Sequence, residues 1–283
     1  MGHTVTVLLI GVGAVAVLAV AALAGWRHVD RRADAAAWQA LLEIGPTRSG
    51  SFSPDMVAGL PEPARRYFLY TIAEGTPLRT KAVIEMDGQL GRGDKNQSHF
   101  DLMRAQQLLA PPHGFVWQVR AGAIGGSDAA TPNTSWTRFW LFGLVPVVRI
   151  SGDADHFRSA FGRTVAEAAF WTPAALLPGP NVRWEARGAD SARAVVFFAG
   201  LEQSVDIAVD PQGQPTSVVI ARWSDVNAEK VYQLQPFGGT VSDYRAFGGY
   251  RLPNRIEGGN WFGTDDYFPF FKARVRSISF PDQ

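Results

Sequence analysis

Phe115-Val116-Trp117-Gln118-Val119-Arg120 decides the fold class. Phe115, Trp117 and Val119 alternate with Val116, Gln118 and Arg120, the period of two that sends successive side chains to opposite faces of a strand. Working outward, Ala82, Ile84 and Met86 alternate with Val83, Glu85 and Asp87. Val182, Trp184 and Ala186 do so with Arg183, Glu185 and Arg187, and Val205, Ile207 and Val209 with Asp206, Ala208 and Asp210. Further strands are expected at 97–109, 134–141, 145–151, 191–199, 216–224, 240–247, 250–257 and 272–280, about twelve in all. Connections such as Asp210-Pro211-Gln212-Gly213 and Gly248-Gly249 suit antiparallel hairpins. One helix interrupts the strands: Asp153 or Asp155 caps a run in which Phe157, Phe161, Val165 and Ala168 share a face, leading to Trp171 and ending before Pro178. The expectation is an α+β chain, mainly antiparallel β, whose curved, half-barrel-like sheet packs on that inserted helix to hide its apolar face.

Upstream, Pro61-Glu62-Pro63 opens a second helical stretch that Gly75-Thr76-Pro77 closes. Gly45 to Ser51 is rich in helix breakers and reads as a linker. From Thr4 to Gly25 the 22 residues carry no Asp, Glu, Lys or Arg. As a helix they would extend about 33 Å, enough for a hydrocarbon core of about 30 Å. Trp26 stands where interfacial aromatics belong. The organisation read is a transmembrane anchor over 1–26, a juxtamembrane helix and linker over 27–51, and a single β-rich domain over 52–283. A cleaved signal is the rival, with Ala22-Leu23-Ala24 as its cleavage site, but no basic residue precedes the apolar run. Arg27, Arg31 and Arg32 flank the span on the domain side and favour a cytoplasmic domain.

Charge and composition exclude several function classes. After Asp34 the chain holds 24 Lys and Arg against 24 Asp and Glu. That balance lacks the basic excess that neutralising phosphates requires, so nucleic acid is not an expected partner. Cysteine is absent, which removes disulfides, thiolate metal sites and cysteine nucleophiles. The five histidines are scattered without metal-ligand spacing. No nucleophile elbow, HExxH, phosphate loop or dinucleotide fingerprint occurs. No metal, cofactor or catalytic residue is therefore assigned. Asp265-Asp266 reads as a polar loop tip, and Lys272, Arg274 and Arg276 as basic residues on a solvated or edge strand.

The aromatic load is high, with nine Trp and eighteen Phe. Such rings fill a core or line a cavity left where sheet and helix fail to close. The candidate lining is Trp117, Phe139, Trp171, Trp184, Trp223 and Trp261.

The strings Leu60-Pro61-Glu62-Pro63-Ala64-Arg65-Arg66-Tyr67-Phe68, Gly114-Phe115-Val116-Trp117, Leu141-Phe142-Gly143-Leu144-Val145-Pro146-Val147-Val148, Glu167 through Pro178, and Asp243-Tyr244-Arg245 with Gly248-Gly249 resemble a bacterial family of membrane-anchored proteins with a domain of unknown function. That resemblance implies no activity or site residue. At the level of fold the pattern is also similar to lipoprotein-carrier half-barrels, which implies an extracytoplasmic domain and conflicts with the arginine rule. The leading expectation is a non-catalytic protein holding a lipid or other apolar molecule at the membrane. The alternatives are an interaction or scaffold module and an acid-base hydrolase using Asp243 or Glu257 near Tyr244.

Overall fold

The computed structural model describes residues 2–281. Its first element, α1 (Gly2–Glu43), is a single unbroken helix. The apolar part of α1 has a mean hydropathy of 2.8, none of it is buried, and it is long enough to cross a membrane. A short helix α2 (Glu62–Thr71) follows. The strands are β1 (Ala82–Gly93), β2 (Ser98–Ala110), β3 (Gly114–Ala121), β4 (Ile124–Thr131), β5 (Thr134–Leu141) and β6 (Val145–Ser151). After α3 (Ala154–Trp171) come β7 (Val182–Gly188), β8 (Ser191–Phe198), β9 (Leu201–Val209), β10 (Pro215–Ser224), β11 (Gln233–Phe247), β12 (Tyr250–Asn260) and β13 (Phe268–Ser279).

All are antiparallel neighbours in one open sheet, ordered β6-β5-β4-β3-β2-β1-β13-β12-β11-β10-β9-β8-β7. The sequence leads to twelve strands and the structure has thirteen. The additional strand is β4, Ile124-Gly-Gly-Ser-Asp-Ala-Ala-Thr131, which shows neither alternation nor β-branched enrichment. It is held by pairing on both sides, with β3 and β5. A second correction concerns β13. It lies between β1 and β12 and is not an edge, so Lys272, Arg274 and Arg276 do not guard one. The edges are β6 and β7.

The sheet curves because α3 touches both β5 and β9, which stand nine strand steps apart. A flat sheet would separate them by about 43 Å, several times the diameter of a helix. Wrapping buries α3 nearly all round: twelve of its eighteen residues are buried, among them Ala160, Ala166, Ala168 and Ala169. At Gly162 an added Cβ would stand 2.9 Å from Gln203 Oε1, the movable end of a β9 side chain, and 3.3 Å from Ile220 Cδ1 of β10. Asp153 caps α3, accepting from the His156 N–H at 2.6 Å. In α2, Tyr67 and Phe68 are fully buried, and the Tyr67 hydroxyl donates to Ala169 O at 2.8 Å, fastening α2 to α3. The Asp210–Gly213 turn reaches under α2. Gly213 has φ +89°, and a Cβ there would meet Arg66 O at 2.3 Å.

The opposite, convex face is not bare. Asp30, Asp34, Ala37 and Leu41 form a buried stripe on the second half of α1, at the spacing of one helix face. Ala37 and Leu41 pack with Leu108, Val116, Ala129 and Trp136 in a second core. Lys81 closes the end of α1, donating to Leu42 O at 2.7 Å and Ile44 O at 2.8 Å.

Candidate functional site

α3 does not fill the trough. Between its Arg163–Trp171 portion and the strands of the sheet lies a cavity of about 320 Å³. Its rings are Trp117 of β3, Phe139 of β5, Phe170 and Trp171 of α3, Phe237 of β11, and Phe270 and Phe271 of β13. Its room comes from glycine. Gly239 and Gly258 are register partners on β11 and β12 and both line the cavity, so at that one register neither strand places a side chain, although Phe237, Val241 and Ile256 of the same strands line it on either side.

One wall is charged. Arg163 donates to Glu167 Oε1 at 2.7 Å, to Asp128 Oδ2 at 2.6 Å and to Gln107 Oε1 at 3.0 Å. The Gln107 amide closes the ring onto Glu167 Oε2. Burial disfavours the Arg163 charge, but Glu167 and Asp128 outweigh it and its pKa is raised. The guanidinium also lies over the Phe115 and Trp117 rings, at 4.3 and 5.1 Å. Arg222 differs. Its Nε donates to Ser159 Oγ at 3.1 Å and its guanidinium covers Phe237 at 4.7 Å. Among the described residues no carboxylate lies within 4.0 Å of it. Burial lowers its pKa, Asp128 opposes that, and Arg163 adds to it; an arginine nevertheless stays charged. Two donors complete the picture. The Nε1 atoms of Trp117 and Trp171 are buried without a hydrogen-bond partner among the described residues, and buried polar atoms are rarely left so.

Of the six aromatics singled out by sequence, Trp117, Phe139 and Trp171 line the cavity. Trp184 packs on Tyr67 and Phe68, with centroids at 5.8 and 5.3 Å, and donates to Leu176 O at 2.9 Å. Trp223 donates to Asp155 Oδ1 at 2.7 Å, stacks on Tyr232 and carries Arg158 over its ring; the residue before it, Arg222, takes the cavity position. Trp261 sits in the turn after β12, its N–H donating to Pro236 O at 2.7 Å. The carboxylates of the hydrolase alternative do not converge. Glu257 pairs with Thr240, three residues from Asp243 along β11, roughly 10 Å at strand rise. Asp243 accepts from Asn254 at 3.0 Å, and the Tyr244 hydroxyl donates to Pro215 O at 2.9 Å. Sequence reasoning missed the charged wall. Only the i,i+4 spacing of Arg163 and Glu167 could have signalled it.

Residues 50–273 match the model of a family of unknown function, DUF6544. The chain belongs to that family. The match begins after α1, ends within β13, and contains every residue that lines the cavity of this DUF6544 protein. It also contains each of the strings on which the family resemblance was read, and bears that reading out. No protein of curated function matches the chain. Among solved structures, it is similar to a LolA superfamily protein from Nitrosomonas europaea, with a TM-score of 0.42 and 9% identity over 78% of this chain and 93% of that one. It is also similar to a domain assigned to outer membrane lipoprotein sorting from Vibrio parahaemolyticus, with a TM-score of 0.37 and 12% identity over 71% of this chain and 85% of that one.

Proposed function

We propose that this protein is a membrane-anchored, non-catalytic binder of an amphiphile, with residues 1–26 as the anchor and the β-rich part over 52–283 carrying the site. The apolar tail would occupy the aromatic cavity and the polar end would meet Arg222 and the two indole N–H groups. The observation that carries this reading is the junction of an aromatic wall with a half-buried arginine that has no carboxylate partner among the described residues. Arg163 is saturated by its own carboxylates, which leaves Arg222 as the group that gains from an anionic or carbonyl oxygen. A volume of about 320 Å³ is at the lower end of ligand pockets, which suits one chain and a small head.

The test compares a fluorescent long-chain fatty acid with its methyl ester on the full chain in mild detergent. Arg222→Gln should weaken the acid about tenfold, the worth of one charge-assisted hydrogen bond, and leave the ester nearly unchanged. Gly258→Val should abolish both, because a Cβ there meets only Gly238 O, at an ordinary 3.5 Å, and so adds volume without forcing the backbone. Binding that neither substitution changes would overturn the reading.

Arg27, Arg31 and Arg32 beside the apolar segment support a cytoplasmic placement of the β-rich part. Because the chain has no cysteine, a single exposed Ser98→Cys reports directly. Labelling by an impermeant maleimide in intact cells would overturn that placement.

A further inference from the structure

A second recess lies on the other side of the sheet, where α1 leaves its apolar portion. It occupies about 410 Å³ between Arg27 and Arg31 of α1, Arg120 of β3, and the turns at Gly122 and Phe142–Gly143. Among the described residues none of these three arginines has a carboxylate within 4.0 Å. The acids nearest in sequence take their hydrogen bonds elsewhere, Asp30 from Arg149 and Trp140 and Asp34 from Ser127, and act on Arg27 through their charge alone. The Nε and Nη1 atoms of Arg27 are buried and have no hydrogen-bond partner among the described residues. A guanidinium with two buried, unanswered donors is a costly arrangement unless an anion completes it.

The height of the recess along α1 indicates which anion. β5 runs antiparallel to α1. Trp136 lies beside Ser127, the partner of Asp34; four residues on, Trp140 bonds Asp30 and meets the Trp26 ring edge-on at 5.7 Å. Two residues beyond Trp140, roughly 7 Å farther toward the apolar half of α1, comes Phe142, which is 81% exposed. Val145 and Val147 continue the exposed apolar surface on β6. The recess thus has arginines at the level where α1 would leave the hydrocarbon and an exposed ring on the hydrocarbon side of them.

We infer that this recess binds the phosphate headgroup of an anionic phospholipid in the leaflet from which α1 emerges, with Arg27, Arg31 and Arg120 on the phosphate and Phe142 among the acyl chains. Guanidinium forks match phosphate geometry, and basic residues beside a span are drawn to anionic headgroups. The inference rests on reading α1 as a membrane span and is independent of the concave cavity.

The test uses the full chain in nanodiscs made of equal parts phosphatidylcholine and phosphatidylglycerol, with the lipids retained after disc disruption counted by native mass spectrometry. Phosphatidylglycerol should be enriched over phosphatidylcholine on the wild type, and Arg120→Gln, at an exposed position, should cut that enrichment about fivefold. Arg27→Gln should remove more, and Gly258→Val should leave the enrichment intact. Equal retention of the two lipids, or enrichment that survives both arginine substitutions, would overturn the proposal while leaving the span. Loss of the enrichment in inorganic phosphate, but not in chloride of matched ionic strength, would assign the recess to a free anion and overturn the lipid. Failure of the chain to enter the discs would overturn the span and the site together.

Discussion

Asp30 of α1 and Arg149 of β6 meet in a two-point ion pair, Nη1 to Oδ2 at 2.7 Å and Nη2 to Oδ1 at 2.9 Å. Trp140 Nε1 donates to the same carboxylate at 2.9 Å, and Arg138 stands 3.5 Å away. Burial opposes the Asp30 charge, but Arg149 and Trp140 outweigh it and hold its pKa below the ordinary carboxylate value. The apolar helix is thereby fastened to an edge strand of the sheet. Asp30→Ala leaves an arginine and an indole N–H without their acceptor and should destabilise the protein by about 3 kcal/mol. The readout is the urea midpoint of the full chain in detergent, with the slope unchanged. A midpoint equal to wild type would mean that the pair is screened by solvent. The Asp30 contribution is present above the unfolded carboxylate pKa and is lost as pH falls through its lower folded value.

Arg163 answers Asp128, Glu167 and Gln107 at once from the middle of α3. Arg163→Met keeps the stem over Phe115 and Trp117 but leaves two largely buried carboxylates unpaired. The expected cost is about 3–5 kcal/mol, measured by chemical denaturation. Glu167→Gln keeps an acceptor for Arg163 and should cost clearly less. If the two variants proved equally unstable, the loss would come from helix packing and not from unpaired charge.

The sheet was legible because alternation is local: a strand with one wet face announces itself in six residues, as Phe115–Arg120 does. The ends of α3 were legible for the same reason, since Asp153 caps within one turn and Pro173 and Pro178 stop the chain locally. What failed depends on distant partners. The stripe of α1 that docks on the sheet contains Asp30 and Asp34 and so reads as a solvated face; their partners Arg149 and Ser127 lie about a hundred residues away in sequence. The cavity was half legible. Trp117 could be placed inward by alternation and Phe139 and Trp171 only at the ends of their elements, whereas Asp128, Arg163 and Arg222 come from three elements with no common spacing. Trp223 was misplaced by one position, since β10 stays paired to Ser224 and the alternation that turns Val218 and Ile220 inward brings Arg222 to the cavity side.

β4 escaped notice because glycine carries no alternation signal, yet its glycines follow from the packing. At Gly126 an added Cβ would stand 1.9 Å from Arg138 O on β5 and 2.8 Å from the Phe139 ring. A backbone carbonyl cannot swing aside as a side chain can. Gly126→Ala should therefore destabilise by about 1–3 kcal/mol, the range for overpacking, although alanine normally strengthens a strand over glycine. Gly125→Ala makes the control: its nearest neighbour would be Val119 O at 3.4 Å, so the same exchange one residue away should be close to neutral. Comparable thermal midpoints for the two variants would contradict the close approach of β4 and β5.

His156 gives the fold a pH dependence with a definite sign. It is buried in the first turn of α3, its Nδ1 2.8 Å from Ser135 Oγ and its Nε2 3.0 Å from Thr137 Oγ1 on β5. Burial lowers its pKa; Asp128 and Asp153 pull the other way, and Arg222 adds to the lowering. The folded state therefore binds this proton less readily than the unfolded chain, whose histidine titrates near 6.5. Stability from His156 is complete above about pH 6.5 and declines as pH falls through the lower folded value. His113, also lowered by burial and by Lys81, adds a decline of the same sign. Denaturation midpoints taken from pH 7.5 down to pH 5 should fall steadily for wild type and less steeply for His156→Asn, which retains a polar group between Ser135 and Thr137 but no proton to gain. An equally steep fall in the variant would assign the whole effect to His113 and show that His156 titrates alike in the folded and unfolded chain.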